Sequence, residues 1–270
     1  MLLRILYPVI GALLLGACGQ PEETLTATGS STIAPVFGEI AAQFESEHDI
    51  RVNVQGGGSS RGIQDTANGR VQLGMASRAL TDAERNKGLM EHTLAWDGIA
   101  LIVHHDNPIM ALDRGQIRSL FSGEFNSWDD IGAASMPVVI VNKAEGRSTL
   151  TLFLEAFELQ NSDIQADIVA AENQQVILSV AGNPGALGYV SIGAALAAER
   201  DGTAIRALPL DGVPADAASV QSGQWPLRRP LNLLTLGPAQ GATATLIDFA
   251  RNSDGARALL EQYYFVPAAD

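Results

Sequence analysis

Cysteine is almost absent from this chain of 270 residues. Cys18 stands alone, so neither a disulfide framework nor a cysteine-based metal site is available. Histidine is scarce too, with four, and adjacent His104 and His105 are expected on opposite faces of a strand, where they cannot chelate one metal together. Cations are outnumbered: 17 Lys and Arg against 30 Asp and Glu leave a formal charge of −13, which excludes the basic face that nucleic acid requires. No Walker A sequence occurs. The dinucleotide fingerprint fails because Arg61 stands where its third glycine belongs. Coiled-coil heptads, low-complexity tracts and long repeats are lacking, and no cofactor or metal is expected.

What is present begins with a leader. Residues 1–17 carry one cation, Arg4, then an apolar run over 5–15 that is too short to span a membrane and suits a signal peptide. Leu15-Gly16-Ala17-Cys18 resembles the bacterial lipobox, in which the cysteine is lipidated and becomes the first residue. Residues 18–24 then read as a polar tether. An exported chain, anchored to a bacterial membrane through Cys18, is the expectation. Removal of Arg4 takes the charge from −13 to −14. Net charge acts mainly on encounter rate and solubility, so it does not exclude an anion site built from local dipoles and hydrogen bonds.

Three segments then repeat one pattern of strand, polar turn and helix. In the first, Leu25-Thr26-Ala27-Thr28 leads into Gly29-Ser30-Ser31-Thr32. Ile33, Val36, Phe37, Ile40, Ala41 and Phe44 follow as an apolar stripe at helical period. In the second, an alternating strand over 51–55 leads into Gly56-Gly57-Gly58-Ser59-Ser60-Arg61-Gly62 and a helix through Ile63 and Ala67. In the third, the apolar strand 137–141 runs into Asn142-Lys143-Ala144-Glu145-Gly146-Arg147-Ser148-Thr149. The helix after it carries Leu150, Phe153, Leu154 and Phe157. Each helix opens on hydroxyl side chains beside unpaired backbone N–H groups, at the positive end of its macrodipole, which is a ready acceptor of oxyanions. Two of the turns enclose an arginine, Arg61 and Arg147, and a buried arginine needs a partner; a bound oxyanion is a good one.

The rest reads coarsely. A buried strand ending in a polar turn is expected over 71–80 and a charged helix over 81–90, with Thr81 and Glu84 as a capping box. Trp96-Asp97-Gly98 punctuates the chain before a strand over 99–103. A short helix follows at 114–121, and Trp128 sits in a loop over 125–132. A late strand covers 231–236, and a helix over 243–263 is interrupted near 252–255. Gly58-Ser59-Ser60-Arg61-Gly62 formally matches the nucleophile elbow of a serine hydrolase with Ser60 as nucleophile. That triad runs Ser, acid, His, however, and no histidine follows His105.

On these residues the chain resembles the phosphate-binding proteins of bacterial ABC importers, within the type II periplasmic binding proteins. Residues 28–35, 56–63 and 74–80 are similar to the family's three lobe-one phosphate loops, and 97–103 to the strand that crosses between lobes. Residues 117–132 and 185–190 resemble further signatures, and Arg229-Pro230-Leu231 the return crossing. The resemblance implies an α/β fold of two lobes around a ligand cleft. Lobe one would comprise 25–97 with 228–270, and lobe two 98–227. Ser31, Thr32 and Ser59 would donate to the anion from lobe one, and Thr149 from lobe two. Lys143 stands where the family's lobe-two loop has arginine, with Arg147 and Ser148 where it has serine and glycine. Ser77 stands where several members carry an aspartate that accepts a hydrogen bond from protonated phosphate. The candidate ligand set is therefore Ser30, Ser31, Thr32, Ser59, Ser60, Arg61, Ser77, Arg147, Ser148 and Thr149. The expected role is a monomeric, non-enzymatic binding protein that delivers phosphate or a similar oxyanion to an ABC permease. An anion-sensing subunit of a membrane receptor is the alternative on the same fold.

Lipidation is the testable consequence of the leader. Cys18→Ser should release the protein from membranes or stall its precursor, as read by fractionation and by precursor size; unchanged fractionation and processing would exclude a lipid anchor at this residue.

Overall fold

Alternating apolar patterns of period two and period 3.6 carry through residues 23–269, the part of the chain that this computed structural model describes. The leader, Cys18 and the tether up to residue 22 lie outside the described residues. In chain order the elements are β1 (Glu23–Gly29), α1 (Ala34–Glu47), β2 (Ile50–Gln55), α2 (Ser59–Ala67), β3 (Leu73–Ala76), α3 (Asp82–Arg85) and β4 (Leu89–His104). Next come α4 (Arg114–Phe121), β5 (Val139–Lys143), α5 (Ser148–Phe157), β6 (Ile168–Ala170), α6 (Asn173–Ala181), β7 (Ala186–Ser191) and α7 (Ile192–Arg200). The last are β8 (Ile205–Ala207), α8 (Ala217–Gln221), β9 (Arg228–Leu236), α9 (Gly241–Asn252), α10 (Asp254–Gln262) and β10 (Val266–Pro267).

The strands follow the order β2-β1-β3-β9-β4-β7-β5-β6, with β8 and β10 pairing on β4 beside that path. Strand β4 belongs to both halves. Its residues 89–98 pair antiparallel with β9, whereas 99–103 pair with β7 and 102–104 with β8. In the first half β1 is parallel to β2 and β3; in the second β5 is parallel to β6 and β7. The carboxyl ends of these parallel strands open the crevice where α/β sheets bind ligands.

Each half has its own core. The stripe of α1 (Val36, Phe37, Ile40, Phe44) packs with Leu25, Met75, Leu233 and the α9 residue Leu246. In the second half Leu101 and Val103 join Phe121, Trp128, Phe153 and Tyr189 on one face, while Ile102 faces Val141, Val176 and Val180 on the other. That split is the period of two along a strand buried on both sides.

Five expectations are corrected. The helix expected over 81–90 stops at Arg85, because Leu89 and Met90 already pair with β9; the Thr81–Glu84 capping box is present. Trp96-Asp97-Gly98 does not interrupt the chain but lies inside the sixteen residues of β4, held by pairing to Pro230, Arg229 and Arg228. Within the strand and polar turn expected over 71–80 the strand is only Leu73–Ala76, and in the loop expected over 125–132 Trp128 opens a 3₁₀ turn (Trp128–Ile131). The strand rule for His104 and His105 also fails. Strand β4 ends at His104, so the chain turns and the two rings lie 4.7 Å apart, with Asp106 beside them.

Two glycines set the approach of elements to the crevice. At Gly98 a Cβ would fall 2.5 Å from the Trp225 indole, and at Gly62, on α2, 2.6 and 2.7 Å from the carbonyl oxygens of Thr28 and Met75. Helix α2 can rest its first turn on the ends of β1 and β3 only without a side chain there. Gly62→Ala should therefore destabilise the fold by about 1–3 kcal/mol. Gly38→Ala, in the open flank of α1 with nothing near, should stabilise it by about 0.5–1 kcal/mol. Urea denaturation of the two variants measures both; equal effects would discount the close approach.

Candidate functional site

The crevice is furnished by polar residues at the carboxyl ends of the parallel strands. Ser30 comes directly after β1, Ser59 opens α2 beyond β2, Ser77 comes directly after β3, and Ser148 opens α5 beyond β5. All four are buried. Their hydroxyls form one cluster: Ser30 Oγ donates to Ser77 Oγ at 3.0 Å, Ser59 Oγ to Ser148 Oγ at 3.1 Å, and Ser77 and Ser148 lie 2.6 Å apart. Ser30 Oγ also accepts from the N–H groups of Thr32 and Ile33, so it caps the turn into α1. The helices α2 and α5 thus bring their N-terminal first turns to one point from opposite halves.

Behind the hydroxyls lies an ion pair between the two strands that join the halves. Arg229 of β9 and Asp97 of β4 are cross-strand partners and almost wholly buried; Arg229 Nε and Nη2 donate to Asp97 Oδ2 at 3.0 and 2.8 Å. The remaining guanidinium protons reach Thr149 Oγ1 at 3.0 Å and Thr32 Oγ1 at 3.3 Å. Each threonine therefore accepts from a cation and keeps its own proton to donate elsewhere. Arg229 does not line the pocket; it prepares two donors that do.

Two further cations come from the third turn. Lys143 is buried, with Nζ donating to Asn173 Oδ1 at 2.9 Å. Burial, and next the repulsion of Arg229, hold its ammonium down at about 7 from the ordinary 10.5; Glu172 acts in the opposite direction and Arg147 adds to the lowering. Arg147 crosses the crevice to Gly58, where a Cβ would meet its Cδ and Nη1 at 3.0 Å. Its Nη2 pairs with Glu172 at 3.2 Å, but Nε and Nη1 are buried without a partner. The pocket between these groups has about 10 Å³ of space for a water-sized sphere, roughly one such sphere. A larger anion must replace the serine–serine contacts with its own oxygens.

The structure brings Ser30, Ser31, Thr32, Ser59, Ser77, Arg147, Ser148 and Thr149 to this pocket. It does not bring Ser60 or Arg61 there. Ser60 contributes its N–H to Gly146 O across the crevice, at 3.3 Å. The Arg61 guanidinium is turned back onto its own loop, bonding Gly56 O, Gln55 and Asp65 within six residues along the chain. Those local acceptors satisfy it, so it has no need of the crevice. Sequence reasoning missed Arg229 and Asn173 as neighbours of the site and left Lys143 outside the ligand set. The signal for Arg229 was its place in the stretch that resembles the family's return crossing. A triad around Ser60 has no histidine to use: His92 bonds Thr235, His104 bonds the turn at Asp106, and neither lines the pocket.

Against known proteins, a family model described as a PBP superfamily domain matches residues 17–268. A phosphate-binding protein PstS of Bacillus subtilis is 26% identical over 250 residues, covering 92% of this chain and 81% of that one. A Clostridium perfringens structure with bound phosphate, assigned as the substrate-binding protein of a phosphate ABC transporter, is 26% identical with a TM-score of 0.83. It covers 92% of this chain and 100% of that one. An ABC-type phosphate transport receptor of Vibrio cholerae is 26% identical with a TM-score of 0.75, over 90% and 99%.

The depressed Lys143 has a consequence with a definite sign. An anion in the pocket favours the ammonium form and raises its pKa, so binding takes up a proton once the free protein has lost it. Affinity for an anion of constant charge, such as sulfate, should be level below about 7 and fall as pH rises above it, and Lys143→Met should abolish that fall. The unliganded fold should instead gain stability between about 7 and 10.5, where the unfolded lysine holds the extra proton. Calorimetry across pH and denaturation across pH read the two effects.

Proposed function

Because the chain belongs to the PBP superfamily, with its two-lobed type II fold, we propose that it captures phosphate for an ABC importer, as a binding protein and not an enzyme. The observation that carries this is the Arg147 guanidinium, with two nitrogens buried and unpartnered in a pocket that Lys143, Asn173, hydroxyls and helix N-termini also line. A guanidinium in that position calls for an anion, and its planar fork matches two oxygens of a tetrahedral one. Ser30, Ser59, Ser77 and Ser148 turn their protons onto the remaining oxygens, and Thr32 and Thr149 donate with Arg229 behind them. The phosphate-bound relative and the phosphate-binding relatives support phosphate over other oxyanions.

The lobes of this reading are 25–97 with 228–270, and 98–227. Two separate cores, joined through β4 and through the chain entering β9, support that division. Closure of the two lobes over the anion presents their shared rim to an ABC permease. Export, the lipid anchor at Cys18 and a monomeric state complete the proposal, with the lipobox-like leader as support for the first two. No helix among the described residues is long and apolar enough to cross a membrane.

Arg147→Ala should weaken phosphate binding by roughly 1.5–3 kcal/mol, about one to two orders of magnitude in Kd. Arg61→Ala should change it by less than about 0.5 kcal/mol, as a surface substitution does. Ser77 offers the phosphate proton a hydroxyl where a carboxylate would be a stronger acceptor, so Ser77→Asp should sharpen preference for phosphate over sulfate. Calorimetric titration of the three variants with both anions tests the set. Full phosphate affinity in Arg147→Ala would remove the central support.

A further inference from the structure

A second cavity adjoins the anion pocket. It encloses about 350 Å³, at the small end of the range for organic ligands, and Ser31, Thr32 and Asn173 line both spaces. Its walls come from both halves of the fold: Pro35 of α1 with Tyr263 and Phe265 beyond α10, and Gly193, Ala194 and Ala197 of α7. The small residues of α7 leave the space. At Gly193 a Cβ would fall 2.3 Å from Tyr263 O and 2.7 Å from the Phe265 ring, so the end wall is fixed by backbone packing. Among the described residues no lysine or arginine lines the cavity; its acidic lining residues are Glu172 and Asp201.

The partition between the two spaces is weak. Of the three residues common to both spaces, two meet only through Asn173 Nδ2 donating to Thr32 Oγ1 at 3.5 Å, the outer limit of a hydrogen bond; Ser31 is the third. The other sides of the anion pocket are closed by the serine cluster, by Lys143 and by Arg147 with its Glu172 partner. A phosphate monoester has one oxygen that carries little charge and accepts poorly, the bridging one. Directed at the 3.5 Å contact between Asn173 and Thr32, that oxygen lies where the closure is loosest, and the three charged oxygens keep the cations and serines. The bond to the organic group then passes through the partition into the cavity.

We propose that the second cavity holds the organic group of a small phosphate monoester, neutral or amine-bearing, whose phosphate occupies the anion pocket. The proposal rests on the phosphate-capture reading and widens its ligand class beyond inorganic phosphate. Glu172 and Asp201 are paired with Arg147 and Arg200, at 3.2 and 2.9 Å, yet they are the charged groups in the cavity lining, which disfavours a carboxylate on the organic group and favours an amine.

The test is calorimetric titration of the full chain with inorganic phosphate, 2-aminoethyl phosphate and carboxymethyl phosphate. The expected result is 2-aminoethyl phosphate binding within about tenfold of inorganic phosphate, and carboxymethyl phosphate at least about tenfold weaker than the amine. Ala197→Leu, which fills the cavity from a half-buried position on α7, should weaken 2-aminoethyl phosphate by about tenfold or more and leave inorganic phosphate within about twofold. Ala194→Leu, one turn earlier, repeats the test should the first variant not fold. Tight inorganic phosphate with 2-aminoethyl phosphate weaker by more than about tenfold, or equal losses for both ligands in the filled variants, overturns the cavity proposal and leaves phosphate capture standing. Equal binding of the two esters overturns the charge preference. Failure of all three ligands to bind overturns both readings.

Discussion

The buried pair of Arg229 and Asp97 is the interaction on which the site depends. It joins β9 to β4 at the point where the chain passes between halves, and it lies directly behind the crevice. Two charges out of water are costly to bury, and mutual attraction offsets that cost only with good geometry and further hydrogen bonds. Here the additional bonds are the hydroxyls of Thr149 and Thr32, one from each half. The same guanidinium that satisfies Asp97 thus fixes where both threonines stand and which way their protons face. Loss of either charge would leave the other buried and would also free both donors.

Around that pair the crevice holds an imbalance of charge. Lys143, Arg147 and Arg229 converge there, while Asp97 and Glu172 are the carboxylates bonded to them. The protein meets the surplus in two ways: Lys143 yields its proton more easily than usual, and two Arg147 nitrogens remain unpartnered. The serine hydroxyls bond one another across the halves, which holds them within reach at little desolvation cost. An anion placed among them relieves the repulsion and replaces weak neutral contacts with charge-assisted ones. In this way an acidic chain can carry a site for an anion, because the field that matters is set over a few ångströms and not by the net charge.

Much of this arrangement is legible in the sequence. The strand–turn–helix repeats at Ser30, Ser59 and Ser148, and the apolar stripes that set each helix against its sheet, arise from periodicity and turn chemistry, which are local. Ser77 obeys the same logic as a polar residue after a buried strand. Less legible were the lengths of β3 and β4, since pairing with β9 decides where each ends, and the turn that brings His104 beside His105. The two turn arginines looked alike. Arg61 finds acceptors within six residues on its own loop, whereas the Arg147 turn supplies none and its side chain reaches Glu172 and Gly58. Local sequence does not distinguish the two, because the difference lies in what the opposing surface offers.

The sequence by itself therefore determined the class of fold, the hydroxyl-rich turns and the family likeness, all properties of segments shorter than about twenty residues. The tertiary structure alone decided that Arg229, 132 residues from Asp97 and 80 from Thr149, stands behind the crevice. It alone decided that Lys143 is buried among cations, and that a second cavity lies beyond Asn173. The physical reason is register. Cross-strand pairing of β4 with β9 and packing of α7 against the chain after α10 bring distant residues together, and no local propensity encodes which residues those will be.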